Sequence, residues 1–203
     1  GVKRVVLASS GAVYGAQAEQ PLRESIVPNP DSPYAVSKLS AEFYVRTIGS
    51  LWGLETVALR VFNAYGPDQP LPASHPPVVS RFLKSASSGG SLIVHGEGTQ
   101  TRDYIFISDV IDALTAAATA RTVSQLVINV GSGTAISLNE LVTAVGEAMG
   151  ATLEPLYNSS ESGGVMQMCA DLELAEKKLG YRPRVSLPEG LRRTIVSDER
   201  FRA

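Results

Sequence analysis

Tyr34 and Lys38 stand four positions apart in "SPYAVSK", and Ser9 and Ser10 stand side by side in "VVLASSGAVYG". A free phenol, with a pKa of ~10, is a poor base near neutrality. An ammonium one helical turn away favours the phenolate and brings its proton into working range. A hydroxyl such as that of Ser10, fixed at a strand end, can bond the same oxygen as the tyrosine. Such a trio takes a proton from a secondary alcohol, or returns it.

These side chains need elements to hold them. Residues 4–8 (RVVLA) are apolar and β-branched, the pattern of a strand covered on both faces. The next helix is capped by Asp31 or Ser32, begins with Pro33 and closes at Gly53. Further strands are expected over 54–62, 91–96, 103–107 and 125–131, with a proline-rich loop over 63–77 and a second loop over 96–102. Further helices are expected over 78–86, ahead of Gly89-Gly90, over 108–120, and from the capping box Ser137/Glu140 to Gly150. Two more are expected near 171–180 and 187–201. Strands alternating with helices imply an α/β domain with a mainly parallel sheet. Ligands bind at the carboxyl ends of such strands, where Ser9 and Ser10 stand.

The chain has 203 residues, 44% hydrophobic and 19% charged, an ordinary globular composition. A formal net charge of −2 gives no electrostatic case for nucleic acid or an anionic membrane as partner. No apolar run approaches the ~20 residues that span a bilayer. Cys169 is the single cysteine, so no internal disulfide forms, and a packed thiol in a reducing, cytoplasmic setting is expected. His75 and His95 have no Cys, Asp or Glu at ligand spacing, so no metal is expected. Asp109 and Asp112 flank a helix start, where carboxylates suit the dipole and the cap.

"SSGAVYG", "SPYAVSK", "LRVFNAYGP" and "TRDYIFISDV" occur in the order and approximate spacing of the extended short-chain dehydrogenase/reductases. Within these the chain resembles the NAD-dependent epimerase/dehydratase family, of which UDP-glucose 4-epimerase is the best-known member. The resemblance implies a partial Rossmann-like, doubly wound α/β sheet formed by 1–62 and 104–131. A smaller α+β lobe for a nucleotide sugar would comprise 63–103 and 132–203. It implies NAD as cofactor, a UDP-sugar as the favoured substrate and a homodimer. Ser10 matches the catalytic hydroxyl, Tyr34 the acid/base, and Lys38 the lysine that tunes the tyrosine and binds the nicotinamide ribose. Ser9 and Phe62 fall beside the cofactor, although Phe62 also reads as core. Asn63 and Arg102 match residues on the substrate phosphates, a role a guanidinium fills with two parallel hydrogen bonds. Ile93, Val94 and His95 match a strand beside the nucleotide base.

Two departures from the family are visible. The glycine-rich turn that seats a pyrophosphate, and the acidic residue for the adenosine ribose, do not precede "VKRVVLASS". At ~30 residues per βα unit, four strands of roughly 100–120 residues are expected ahead of it. Strand 4–8 then becomes a sheet edge, and the isolated chain is expected to lack epimerase activity. Secondly, Glu161 and Gly164 stand near the places where many relatives carry an arginine and an acid on the diphosphate.

Gly11 and Ala12 stand where the dehydratases that this chain resembles carry Asp-Glu and the sugar-acid decarboxylases a Glu; because neither can transfer protons, the resemblance implies that dehydration and decarboxylation are disfavoured. Epimerisation at sugar C4 through transient oxidation remains, as does a 4-ketoreductase or dehydrogenase. A non-catalytic sugar-nucleotide-binding remnant is the alternative from another class.

Overall fold

A computed structural model describes residues 1–159 and 165–202. Three parallel strands form one sheet in the order β1 (Arg4–Ser10), β2 (Glu55–Val61), β6 (Leu126–Val130). β1 continues past the expected end at Ala8, because its register with β2 runs on through Ser9↔Arg60 to Ser10↔Val61. A short 3-10 turn, Gly11–Tyr14, follows at once, and the Ser10 hydroxyl accepts from Ala12 N at 3.2 Å. Among the described strands β1 pairs only with β2 and so forms the edge expected from the sequence.

Helix α1 (Pro33–Trp52) crosses from β1 to β2. Its start follows the sequence: the Ser32 hydroxyl accepts from Ala35 N, Pro33 takes the first turn, and Gly53 ends it in the left-handed region at φ 67°. Helix α3 (Ile107–Thr119) packs Val110, Ala113 and Ala117 against Val57, Leu59 and Ile128 of the sheet.

Beyond β2 the chain builds a second region. β3 (Asn63–Tyr65) lies inside the expected proline-rich loop, and β5 (Thr101–Phe106) begins inside the expected loop 96–102. β5 pairs in parallel with β3 and antiparallel with β7 (Ala135–Ser137), and those partners extend it. The expected boundary between 103 and 104 therefore falls within a continuous strand. β5 serves both regions by alternation: Ile105 enters the core under the parallel sheet, and Tyr104 and Phe106 enter the other core. That second core gathers α2 (Val78–Ser87), β4 (Leu92–His95), α4 (Leu138–Met149) and α6 (Leu187–Ser197). β4 pairs in parallel with β8 (Pro155–Asn158), a strand that no pattern in the sequence flagged. The Ser137/Glu140 capping box forms as expected at the start of α4.

Two further expectations are corrected. Asp109 does not cap α3; its buried carboxylate accepts from Arg184 N and Val185 N, both at 3.1 Å, and anchors the segment ahead of α6. The last helix stops at Ser197 because the Asp198 side chain accepts from Arg200 N and turns 199–201 into a 3-10 turn. Helix α5 (Glu173–Leu179) lies within the expected 171–180. No helix of the described residues is long and apolar enough to cross a membrane.

Candidate active site

The carboxyl end of β1 meets the first turns of α1. Tyr34 is 56% exposed there. The Lys38 ammonium lies 5.7 Å from the centre of the Tyr34 ring and donates to the Ala8 carbonyl at 3.0 Å. That bond spends one of three ammonium protons on β1 and fixes the amine between strand and phenol. Ser10 is half-buried and engaged with Ala12 N, and no hydrogen bond joins it directly to Tyr34. An alcohol between the two would give both a partner.

Ser9 points the other way, as the pleat requires. It is buried and donates to Glu42 Oε1 at 2.5 Å, so its hydroxyl is committed to the interior rather than to a ligand. Glu42 lies two turns beyond Tyr34 and one beyond Lys38 on the same face of α1. It also accepts from Arg60 of β2, Nε at 3.0 Å and Nη2 at 2.8 Å. The Arg60 guanidinium in turn lies 4.7 Å from the centre of the Tyr14 ring. The Tyr14 hydroxyl donates to Asn129 of β6 at 2.8 Å, and burial pushes its pKa above the ordinary value although Arg60 acts in the opposite sense. One polar chain thus runs across β1, β2 and β6 beneath the site.

Phe62 is 5% exposed and packs with Val13, Tyr14 and Leu22. A Cβ on Gly11 would stand 3.1 Å from its ring, so Gly11 is the residue that lets the turn settle on Phe62. Phe62 is core. Asn63 is half-buried at the start of β3 and pairs with Tyr104. Along β4, Ile93 is exposed and Val94 fully buried, so Val94 offers a ligand only its backbone; His95 is half-buried. Arg102 is half-buried, donates to the carbonyl of Thr101 at 2.8 Å, and is held below its usual pKa by burial. Glu161 and Gly164 lie outside the described residues.

A cavity of about 410 Å³ beside Tyr104, Ser132, Thr134 and residues 183–188 includes none of Ser10, Tyr34 and Lys38. Of those three, Tyr34 is exposed and Ser10 and Lys38 are half-buried. Among the described residues no group of three or more His, Cys, Asp or Glu could hold a metal ion. Burial raises Cys169 to about 11, which leaves it a thiol.

Glu42, Arg60, Tyr14 and Asn129 were not singled out in the sequence. A signal existed: an arginine inside the apolar strand "ETVALRV" demands a buried partner. The sequence does not say which acid provides it.

Residues 1–131 match the model of the NAD dependent epimerase/dehydratase family. A UDP-glucose 4-epimerase of Mycolicibacterium smegmatis is 36% identical over 196 residues, 96% of this chain and 62% of that protein. A UDP-glucose 4-epimerase of Thermotoga maritima, solved with UDP-glucose, superposes with a TM-score of 0.90 at 34% identity, covering 97% of this chain and 63% of that one. The enzyme of the same name from Thermus thermophilus, solved with NAD, gives 0.84 at 30% identity, covering 96% and 63%. The chain therefore spans a little under two thirds of the length of these relatives.

Proposed function

Because the chain belongs to the NAD dependent epimerase/dehydratase family, we propose that it is the catalytic and sugar-nucleotide-binding part of an NAD-dependent UDP-sugar 4-epimerase. The observation that carries this reading is the arrangement at the end of β1: an exposed phenol, an ammonium 5.7 Å from its ring centre, and a serine hydroxyl on the adjoining strand end. The relatives that bind UDP-glucose and NAD support the choice of ligands.

The nicotinamide end of NAD fits this surface, because Tyr34 is open and two protons of the Lys38 ammonium remain after its bond to Ala8. When bound, NAD would supply the acceptor and donor of a hydride. The chain's own residues do the rest. Tyr34 takes the proton of the sugar 4-hydroxyl, Ser10 holds that oxygen, and Lys38 stabilises the phenolate; the proton then returns by the same path. Arg102 and Asn63 hold the diphosphate, and the exposed edge of β4 at Ile93 lies along the base. Gly11 and Ala12 offer no further acid or base, so elimination has no catalyst beside Ser10.

Since the isolated chain is expected to lack activity, the test is to join it to the glycine-rich cofactor-binding segment of one of these relatives, incubate the product with NAD and UDP-glucose, and resolve UDP-galactose chromatographically. Conversion without net NADH supports epimerisation. Stoichiometric NADH with a released keto-sugar points to the oxidoreductase alternative, and UDP-sugar binding without conversion to the non-catalytic one.

A further inference from the structure

Three polar groups converge where α2, β4 and β5 meet. Arg102 and Tyr104 are two apart on β5 and share a face. Tyr104 packs with Phe82 and Leu83 of α2 and with Val94 of β4. Arg81, preceding Phe82, donates from Nη2 to the Ile93 carbonyl of β4 at 3.3 Å. Two atoms here are buried without a hydrogen-bond partner, the Arg81 Nε and the hydroxyl of Tyr104, a residue 4% exposed.

Among the described residues neither arginine pairs with a carboxylate. Arg102 has its neighbour's carbonyl and Arg81 that of Ile93, in contrast to Arg60, which Glu42 neutralises. Both guanidinium charges act on the Tyr104 hydroxyl, yet burial still pushes its pKa up to about 12, so it remains a proton donor. Half-buried cations with spare donors beside an orphaned hydroxyl are costly without an anion. A diphosphate supplies acceptors for all three.

We propose that Arg81 is a second anion-binding residue beside Arg102, the two guanidinium groups and the Tyr104 hydroxyl together holding the diphosphate of a nucleotide sugar. The inference rests on the UDP-sugar reading and deepens it. The resemblance leads one to expect a second arginine near Glu161; here α2 provides the cation instead. Asn63, opposite Tyr104 in the β3–β5 register, borders the same place.

The experiment is calorimetric titration of the 203-residue chain with UDP, UMP and inorganic pyrophosphate, for wild type, Arg81→Met and Arg81→Lys. Arg81→Met should weaken UDP and pyrophosphate by at least about tenfold, as expected for a lost charge-assisted bond, with UMP less affected and Arg81→Lys intermediate. Unchanged UDP affinity in a folded Arg81→Met chain overturns the inference and leaves the UDP-sugar reading standing. Pyrophosphate binding that depends on Arg81, with UDP no tighter than pyrophosphate, supports the anion site and removes the UDP-sugar reading. No binding of either by the wild type removes both. Should Arg81→Met fail to fold, the wild-type Arg81 Nε–H resonance decides: it shifts on adding UDP if Arg81 binds the phosphates, and a static resonance refutes it.

Discussion

Glu42 and Arg60 form a pair with two hydrogen bonds in the interior, their side chains 3% and 5% exposed, and Ser9 adds a third bond to the same carboxylate. α1 carries Tyr34 and Lys38, so this pair sets the height at which both stand over β1. Removing one partner of a buried pair strands the other charge, at a cost of about 3–5 kcal/mol. Glu42→Ala should lose that much in urea unfolding, and Glu42→Gln less, because its amide oxygen still accepts. A Glu42→Ala chain within about 1 kcal/mol of wild type, the ordinary effect of a point change, contradicts the assignment.

Tyr34→Phe keeps the ring and removes the proton. In a protein completed with the glycine-rich cofactor-binding segment, turnover should fall by ~10²–10⁴-fold, with UDP affinity by calorimetry unchanged. Normal kcat in the variant removes the acid/base role from Tyr34.

Gly15 closes the turn after "GAVY" at φ 60° and ψ −152°, a backbone conformation essentially confined to glycine, and a Cβ there would run into the Asn29 carbonyl oxygen. Gly15→Ala meets both the backbone penalty, about 1–3 kcal/mol, and a contact with main chain that has no flexible end to move. It should lower the thermal midpoint by several degrees, on the order expected for a small domain. An unchanged melting curve counts against this turn geometry.

Asp198 carries the clearest pH dependence. Its hydrogen bond with Arg200, helped by Asp68 N, outweighs burial and lowers its pKa from 3.8 to about 2. A depressed carboxyl contributes stability that is complete above the unfolded value and fades as pH falls through the folded one. The difference in urea midpoint between wild type and Asp198→Asn should therefore shrink between pH 3.8 and about 2. A difference constant over that window refutes the pairing.

Leu51 and Trp52 end α1 about three-quarters exposed, on the helix that also exposes Phe43 and Tyr44. Apolar surface of this kind marks an interaction face. The single tryptophan reports on it: its emission should shift to the blue as concentration rises, and sedimentation should show association that Leu51→Glu abolishes. Monomeric behaviour with constant emission at all concentrations speaks against this face.

Much of the parallel sheet and its helices was legible because their rules are local. The apolar run of "RVVLA", the cap at Ser32, the stop at Gly53 and the Ser137/Glu140 box each depend on residues close by in the chain. The Tyr34–Lys38 spacing works the same way, since a helix converts four positions into one face. Strands of three or four residues such as β3, β7 and β8 were not legible, because their hydrogen bonds come from partners far along the chain. Likewise the residue types alone could not say that Ser9 faces Glu42 while Ser10 stays at the sheet's edge, that Asp109 serves residues 184 and 185 rather than its own helix, or that Arg60 belongs to Glu42. The sequence determined which residues could do chemistry and which elements would carry them. Tertiary packing alone decided which charges are neutralised and which remain free, because a buried charge must find its partner in space, and that partner is fixed by strand register and helix docking rather than by distance along the chain.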